Sequence, residues 1–156
     1  MENLELLMKA LDEAHWELSE AMKDMPDENL WRRPHPRLLS VGELIAHMAY
    51  GEAVNIHGGE VDSPLVQHQM RYYPVTVEEP LVLEMGAEAV FKELSRVHQL
   101  CNAKLLAEPP DLEATNPNRE DWNWGYTFRY MTFHIAYHTG QIYSVRHLLG
   151  HETVDN

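Results

Sequence analysis

His134 and His138 stand four residues apart in the run FHIAYHTGQIYSVRHLLG, residues 133–150. Positions i and i+4 of a helix lie one above the other, so both imidazoles can point at one metal ion. On a helical wheel they are about 40° apart, with Gln141 and Val145 about 20° to either side of His134. The pair therefore continues an inward stripe rather than a solvent face. A buried imidazole needs a hydrogen-bond partner or a metal, because an unpaired buried polar group costs about 1–3 kcal/mol. The spacing alone suits two core histidines satisfied by neighbours as well as it suits two ligands.

A third ligand changes what such a pair can do. Three protein ligands and one exchangeable position make a catalytic metal site, whereas structural zinc takes four. The candidate is His47, in GELIAHMAYGEA. Leu44 and Gly51 share its side of the helix, and that small residue lets a neighbouring helix come close. The wheel leaves His47 open as core histidine or ligand. His98, between Leu94 and Cys101 on an apolar stripe, reads as a satisfied core histidine or as support for a ligand. His15 reads as a boundary residue, His57 as a helix-end residue favoured by the dipole, and His147 and His151 as exposed. His35 and His68 fall in loops.

Other side chains can take part. Glu43, one turn before His47, could reach a metal or its water, but Ser40-x-x-Glu43 is more simply a capping box. Gln141, one turn after His138, is a bundle-core amide or a holder of metal-bound water. Trp122 and Trp124 could wall a pocket or pack a long loop. Arg71, Arg119 and Arg129 are basic residues on or beside the long connections, and Glu120 and Asp121 are loop carboxylates. Cys101 reads as a small core residue.

Four elements position these residues. Leu4, Leu7, Leu11, Ala14, Leu18, Ala21 and Met25 recur at helical steps, which predicts a helix from about Asn3 to Met25, stopped by Pro26. PDENLWRRPHPRLLS is a connector with one helical turn. A second helix opens at Ser40 and ends at Gly58-Gly59. A third starts near residues 81–84 and runs to Ala107, with Phe91, Leu94, Val97, Cys101 and Leu105 inward, and Pro109-Pro110 closes it. The fourth runs from near Thr127 to Gly150 on Met131, Ile135, Ile142, Val145 and Leu149. Residues 58–80 and 109–126 are irregular, and no strand is expected. The pattern predicts an all-α four-helix bundle, one domain over residues 1–156, with two long connections.

Composition narrows the partners. The 156 residues carry 25 acidic and 12 basic side chains, a net charge of -13. That charge repels nucleic-acid backbones and anionic membranes. A single cysteine excludes an intrachain disulfide. No signal peptide and no apolar run of about 18 residues stand out, so the expected location is cytoplasmic.

Taken together, two motifs resemble the DinB-like (YfiT-like) family of metal-dependent bundle proteins. One is the closing run from His134 through His138, Gly140, Gln141, Ile142 and Arg146 to Gly150. The other is Ser40-Val-Gly-Glu43-Leu-Ile-Ala-His47, preceded by a weaker match from Leu30 to Pro36. The resemblance implies an up-up-down-down bundle, a homodimer, and a site in which His47, His134 and His138 hold one divalent ion, nickel or zinc. Imidazole ligands do not choose between those metals. Relatives include transferases and isomerases that use low-molecular-weight thiols such as bacillithiol or mycothiol, and others described only as hydrolases. The implied activity is transfer of a small thiol to an electrophile. The alternatives are hydrolysis by metal-bound hydroxide, a non-enzymatic metal- or small-ligand-binding stress protein, and a metal-free bundle.

Overall fold

The structure, a computed structural model, describes residues 2–58, 61–69 and 79–154. The four amphipathic stretches are its four long helices: α1 (Glu2–Met22), α3 (Val41–Glu52), α5 (Ala87–Ala107) and α6 (Trp124–Leu148). One-turn helices α2 (Asp27–Leu30) and α4 (Pro64–Gln67) lie in the connections. A π-helical turn, Ala53–His57, prolongs α3 and ends at Gly58, whose φ of 92° an L side chain rarely adopts. Leu11, Leu18, Ile45, Met48, Leu94, Met131, Ile135 and Ile142 fill the core between the helices. Among the described residues no helix is long and apolar enough to cross a membrane.

Three helix ends differ from the sequence expectation. α1 stops at Met22, before Met25, and Asp24 (φ 53°) turns the chain toward Pro26. α6 starts at Trp124, before Thr127, because the Asn123 side chain accepts from Tyr126 N at 2.7 Å. α5 starts at Ala87, later than residues 81–84, because its first free N–H donates to Asp27 Oδ1 of α2 at 2.7 Å. A strand pair also forms where none was expected. Thr115–Asn116 (β1) pairs antiparallel with Arg119–Asn123 (β2). Its anchor is buried Asn116, whose amide donates to Asn55 O (2.8 Å) and Thr127 Oγ1 (2.9 Å). The first bond satisfies a carbonyl of the π-helical turn.

Long-range hydrogen bonds set the helix directions. Tyr143 Oη donates to Glu17 at 3.0 Å, and Arg146 donates to Ala21 O (2.6 Å) and Lys23 O (2.9 Å), so α6 runs parallel to α1. Glu43 accepts from Leu81 N, Glu52 meets His98, and Lys104 donates to His57 O, so α5 runs parallel to α3. Asp12 meets His98 while Asp27 caps Ala87, so α5 is antiparallel to α1. The order is therefore up, down, down, up. The expected four-helix bundle forms, but not in the up-up-down-down order. The reason lies in the first connection: residues 23–40 return the chain at the same end of the bundle, so α3 runs back along α1, and α5 then starts at the end where α3 starts.

α3 is buried on nearly every side, Glu43 included. The predicted capping box forms, with Ser40 Oγ accepting from Glu43 N (3.2 Å) and Glu43 Oε2 from Ser40 N (2.8 Å). Glu43 also takes Arg33 Nε at 2.8 Å and Leu81 N at 2.9 Å. Burial would raise its pKa, but Arg33 and the backbone donors outweigh that and hold the carboxyl below its ordinary value. Its oxygens are thereby engaged at the start of α3. Because removing one partner strands a buried charge, Glu43→Ala should lower the unfolding free energy by about 3 kcal/mol. Urea denaturation checks this, and a loss under about 1 kcal/mol would show that the cluster does not hold the start of α3.

Candidate metal centre

His47 sits midway along α3, and His134 and His138 sit midway along antiparallel α6. Gly51, one turn after His47, lets the helices close on each other. A Cβ there would stand 3.0 Å from His134 Cε1. The three rings meet with centroids 4.5–4.8 Å apart. Their donor nitrogens lie within 4.8 Å of one another, and His47 Nε2 is 2.9 Å from His134 Nε2. Bonds of about 2.0–2.1 Å to one ion would hold two nitrogens roughly 2.9–3.4 Å apart, so the spacing fits a shared cation. No fourth His, Cys, Asp or Glu joins the cluster among the described residues.

Electrostatics favour the neutral rings that a metal requires. Burial, then the neighbouring His138 and His47, push His134 down to about 3. Burial and His47 push His138 down to about 4. Gln141 Oε1 lies 2.6 Å from His138 Nδ1, so Nδ1 carries the proton and the Nε2 lone pair faces the cluster. His134 Nδ1 is buried without a hydrogen-bond partner and lies on the Gly51 side, which leaves its Nε2 for the cluster.

Aromatic side chains of α6 and β2 wall this centre. Tyr130 stacks on His134 (5.9 Å between centroids) and Tyr137 meets His138 edge-on (5.1 Å). Trp122 packs on Tyr130 at 4.6 Å, and the Arg119 guanidinium lies 3.9 Å over the Trp122 ring. Trp122 thus reaches the centre through Tyr130, whereas Trp124 packs toward Phe128 and the core. Arg129, Glu120 and Asp121 are exposed, and Arg71 lies outside the described residues. An apolar cavity of about 210 Å³ beside Gln141 is lined by Leu38, Leu39, Leu44, Ser144, Val145 and Leu148, and by none of the three histidines.

The remaining histidines sort differently from expectation. His98 is a satisfied buried histidine, bonded to Glu52 and Asp12 and not to the three-histidine centre. His15, expected at the boundary, is buried and lies 2.6 Å from Glu52. His151, expected exposed, is half-buried against Asn29, while His147 is exposed. Glu52 was not singled out by its spacing. The available signal was α3 itself, which is apolar nearly all round, so that any acid on it must find a partner.

A family model described as the DinB superfamily matches residues 10–142. No curated protein matches the chain significantly. A crystal structure described as the conserved protein of locus from Enterococcus faecalis has 19% sequence identity and a TM-score of 0.63, over 94% of this chain and 97% of that one. At that identity the likeness speaks for the fold.

The buried neutral histidines set an acid limit on the metal-free protein. Their folded pKa values lie below the ordinary 6.5, so the unfolded chain takes up protons first as pH falls. Stability should fall from pH 6.5 to 5, by about 2 kcal/mol for one such histidine. Glu43 and Glu52, both held low, keep their contribution above the ordinary carboxylate value and lose it as pH falls from there toward their folded values. The raised His98 is fully stabilising below pH 6.5 and loses its contribution only as pH rises through its folded value. Urea midpoints in EDTA at pH 5 and 6.5 measure the drop, and equal midpoints would contradict the neutral burial of His134 and His138.

Proposed function

The chain belongs to the DinB superfamily, and from that footing we propose that His47, His134 and His138 hold one divalent ion, zinc or nickel, at a centre that transfers a low-molecular-weight thiol to a small electrophile. The observation that carries this reading is the convergence of three imidazole nitrogens with no fourth protein ligand among the described residues. Such an ion, when bound, supplies Lewis acidity and lowers the pKa of a thiol, so that thiolate is present at neutral pH.

The chain's own residues do the rest. His134 and His138 are kept neutral by burial, so they need shed no proton to act as ligands. Gln141 holds the His138 ring by its far nitrogen. Tyr130 and Tyr137 flank the two α6 histidines and offer an apolar face to a substrate. Among the described residues no carboxylate joins the three histidines to take a proton from water, which favours a nucleophile that loses its proton easily over hydrolysis. Cys101 is not that nucleophile, because it is buried and its thiol is pushed up by burial and by Glu52. The thiol must therefore come as a second substrate. A cytoplasmic homodimer acting on small molecules completes the reading.

Elemental mass spectrometry on untagged protein should find one equivalent of divalent ion at this centre, lost in His138→Ala. Gln141→Leu should weaken binding about 10–100-fold, since it removes the partner of the far nitrogen. A screen of thiols against electrophiles should show thiol-dependent turnover that disappears in His134→Ala. Turnover without thiol would make the protein a hydrolase. A large metal-dependent rise in melting temperature without any turnover would assign the ion a structural role.

A further inference from the structure

Glu52 lies five residues after His47, about 140° round the same helix, and faces away from the three-histidine centre toward α1 and α5. There it meets His15 of α1 and His98 of α5, all three buried. One carboxylate oxygen is 2.6 Å from His15 Nε2 and the other 3.2 Å from His98 Nδ1. The two imidazoles stack, with centroids 3.8 Å apart and planes at 26°, so both present a nitrogen to the same carboxylate. The candidate donor atoms lie within 4.8 Å of one another.

The far side of His98 decides what Nδ1 can do. His98 Nε2 is 2.8 Å from Asp12 Oδ1, an acceptor, and 3.1 Å from the Asn102 amide nitrogen, and the shorter contact to the carboxylate assigns a proton to Nε2. Asn102 Nδ2 donates to the same Asp12 oxygen at 3.1 Å and helps to place it. A carboxylate on the far nitrogen is how proteins orient a histidine toward a metal, and Gln141 plays the same part for His138. With Nε2–H committed, Nδ1 presents a lone pair toward a carboxylate oxygen unless a cation stands between them. That cation is either a second ring proton or a metal ion. Two nitrogens and a carboxylate form a donor set typical of zinc.

We propose that His15, Glu52 and His98 form a second cation site, separate from the three-histidine centre, which takes a divalent transition ion through His15 Nε2, a Glu52 carboxylate oxygen and His98 Nδ1. Asp12 is the positioning residue for His98. The ion competes with the ring proton for the same space and joins α1, α3 and α5 at one point.

Zinc(II) alone is the probe, in equilibrium dialysis of the whole chain followed by elemental analysis. The wild type should hold two equivalents. The combined His47→Ala, His134→Ala and His138→Ala variant should hold one, and adding Glu52→Gln should remove it, with at least a hundredfold loss of affinity. Far-UV circular dichroism confirms that each variant is folded. One equivalent in the wild type and none in the triple variant would leave the three-histidine centre standing and overturn the second site. Zinc that survives Glu52→Gln marks ordinary surface binding and also overturns it. If Glu52→Gln unfolds the triple variant, cobalt(II) in the folded triple variant decides. Strong visible absorption from a low-coordinate nitrogen-and-oxygen site supports the proposal, and the weak spectrum of hydrated cobalt overturns it.

Discussion

The burial of α3 on nearly every side is the constraint from which the rest of the molecule follows. Such a helix can leave few polar side chains to water, so each buried one must be satisfied by another element. At its start Glu43 is met by Arg33 from the first connection and by Leu81 N from the second. In its middle His47 meets His134 of α6. At its end Glu52 meets His15 of α1 and His98 of α5. Beyond it the Asn55 carbonyl meets Asn116 of the strand pair. One central helix and the turn that prolongs it thus set the approach of their neighbours through polar contacts at four positions, each of which is costly to leave unmade.

The same constraint builds the candidate metal centre. Burying three imidazoles together is unfavourable for their charged forms, and the response visible in His134 and His138 is loss of charge. A cluster of neutral, converging nitrogens is the electronic state that a divalent ion requires. Gly51 supplies the close approach of α6, Gln141 orients one ring, and Tyr130 and Tyr137 pack against the two α6 histidines. Glu52 lies on another face of the same helix, where its charge is matched by different histidines.

Several helix ends are completed by partners distant in sequence, which ties the connections to the bundle. Asp27 of α2 caps α5, and a Cβ on Gly86 would collide with its carboxylate at 2.7 Å. Arg146, buried near the end of α6, donates to carbonyls of Ala21 and Lys23 that α1 leaves without partners. These contacts align the ends of α1 and α6 and settle the parallel course of the two helices. Arg146 belongs to the motif that carried the family resemblance, and its role here is to close α1 rather than to touch the metal centre.

What sequence alone determined is local. The four helices follow from a 3.6-residue apolar period, the capping box from Ser40 and Glu43 three residues apart, and the shared face of His134 and His138 from their spacing of four. Helix position made His47 a candidate, and only the motif resemblance implied that it is a ligand, since nothing within one helix says which other helix will face it. Tertiary structure decided the rest. Helix direction depends on where a connection crosses, so periodicity is blind to up-down-down-up. The caps of α5 and α1 come from residues far along the chain, so local pattern misplaced those ends. The strand pair is held by Asn116 reaching a carbonyl of the π-helical turn, a contact with no local signature. Trp122 and Trp124 look alike in sequence, yet one packs beside the centre and the other toward the core, because α6 begins between them. His15, Glu52 and His98 come from three helices and have no common spacing. Only the packing of α1 and α5 around the central α3 brings them together.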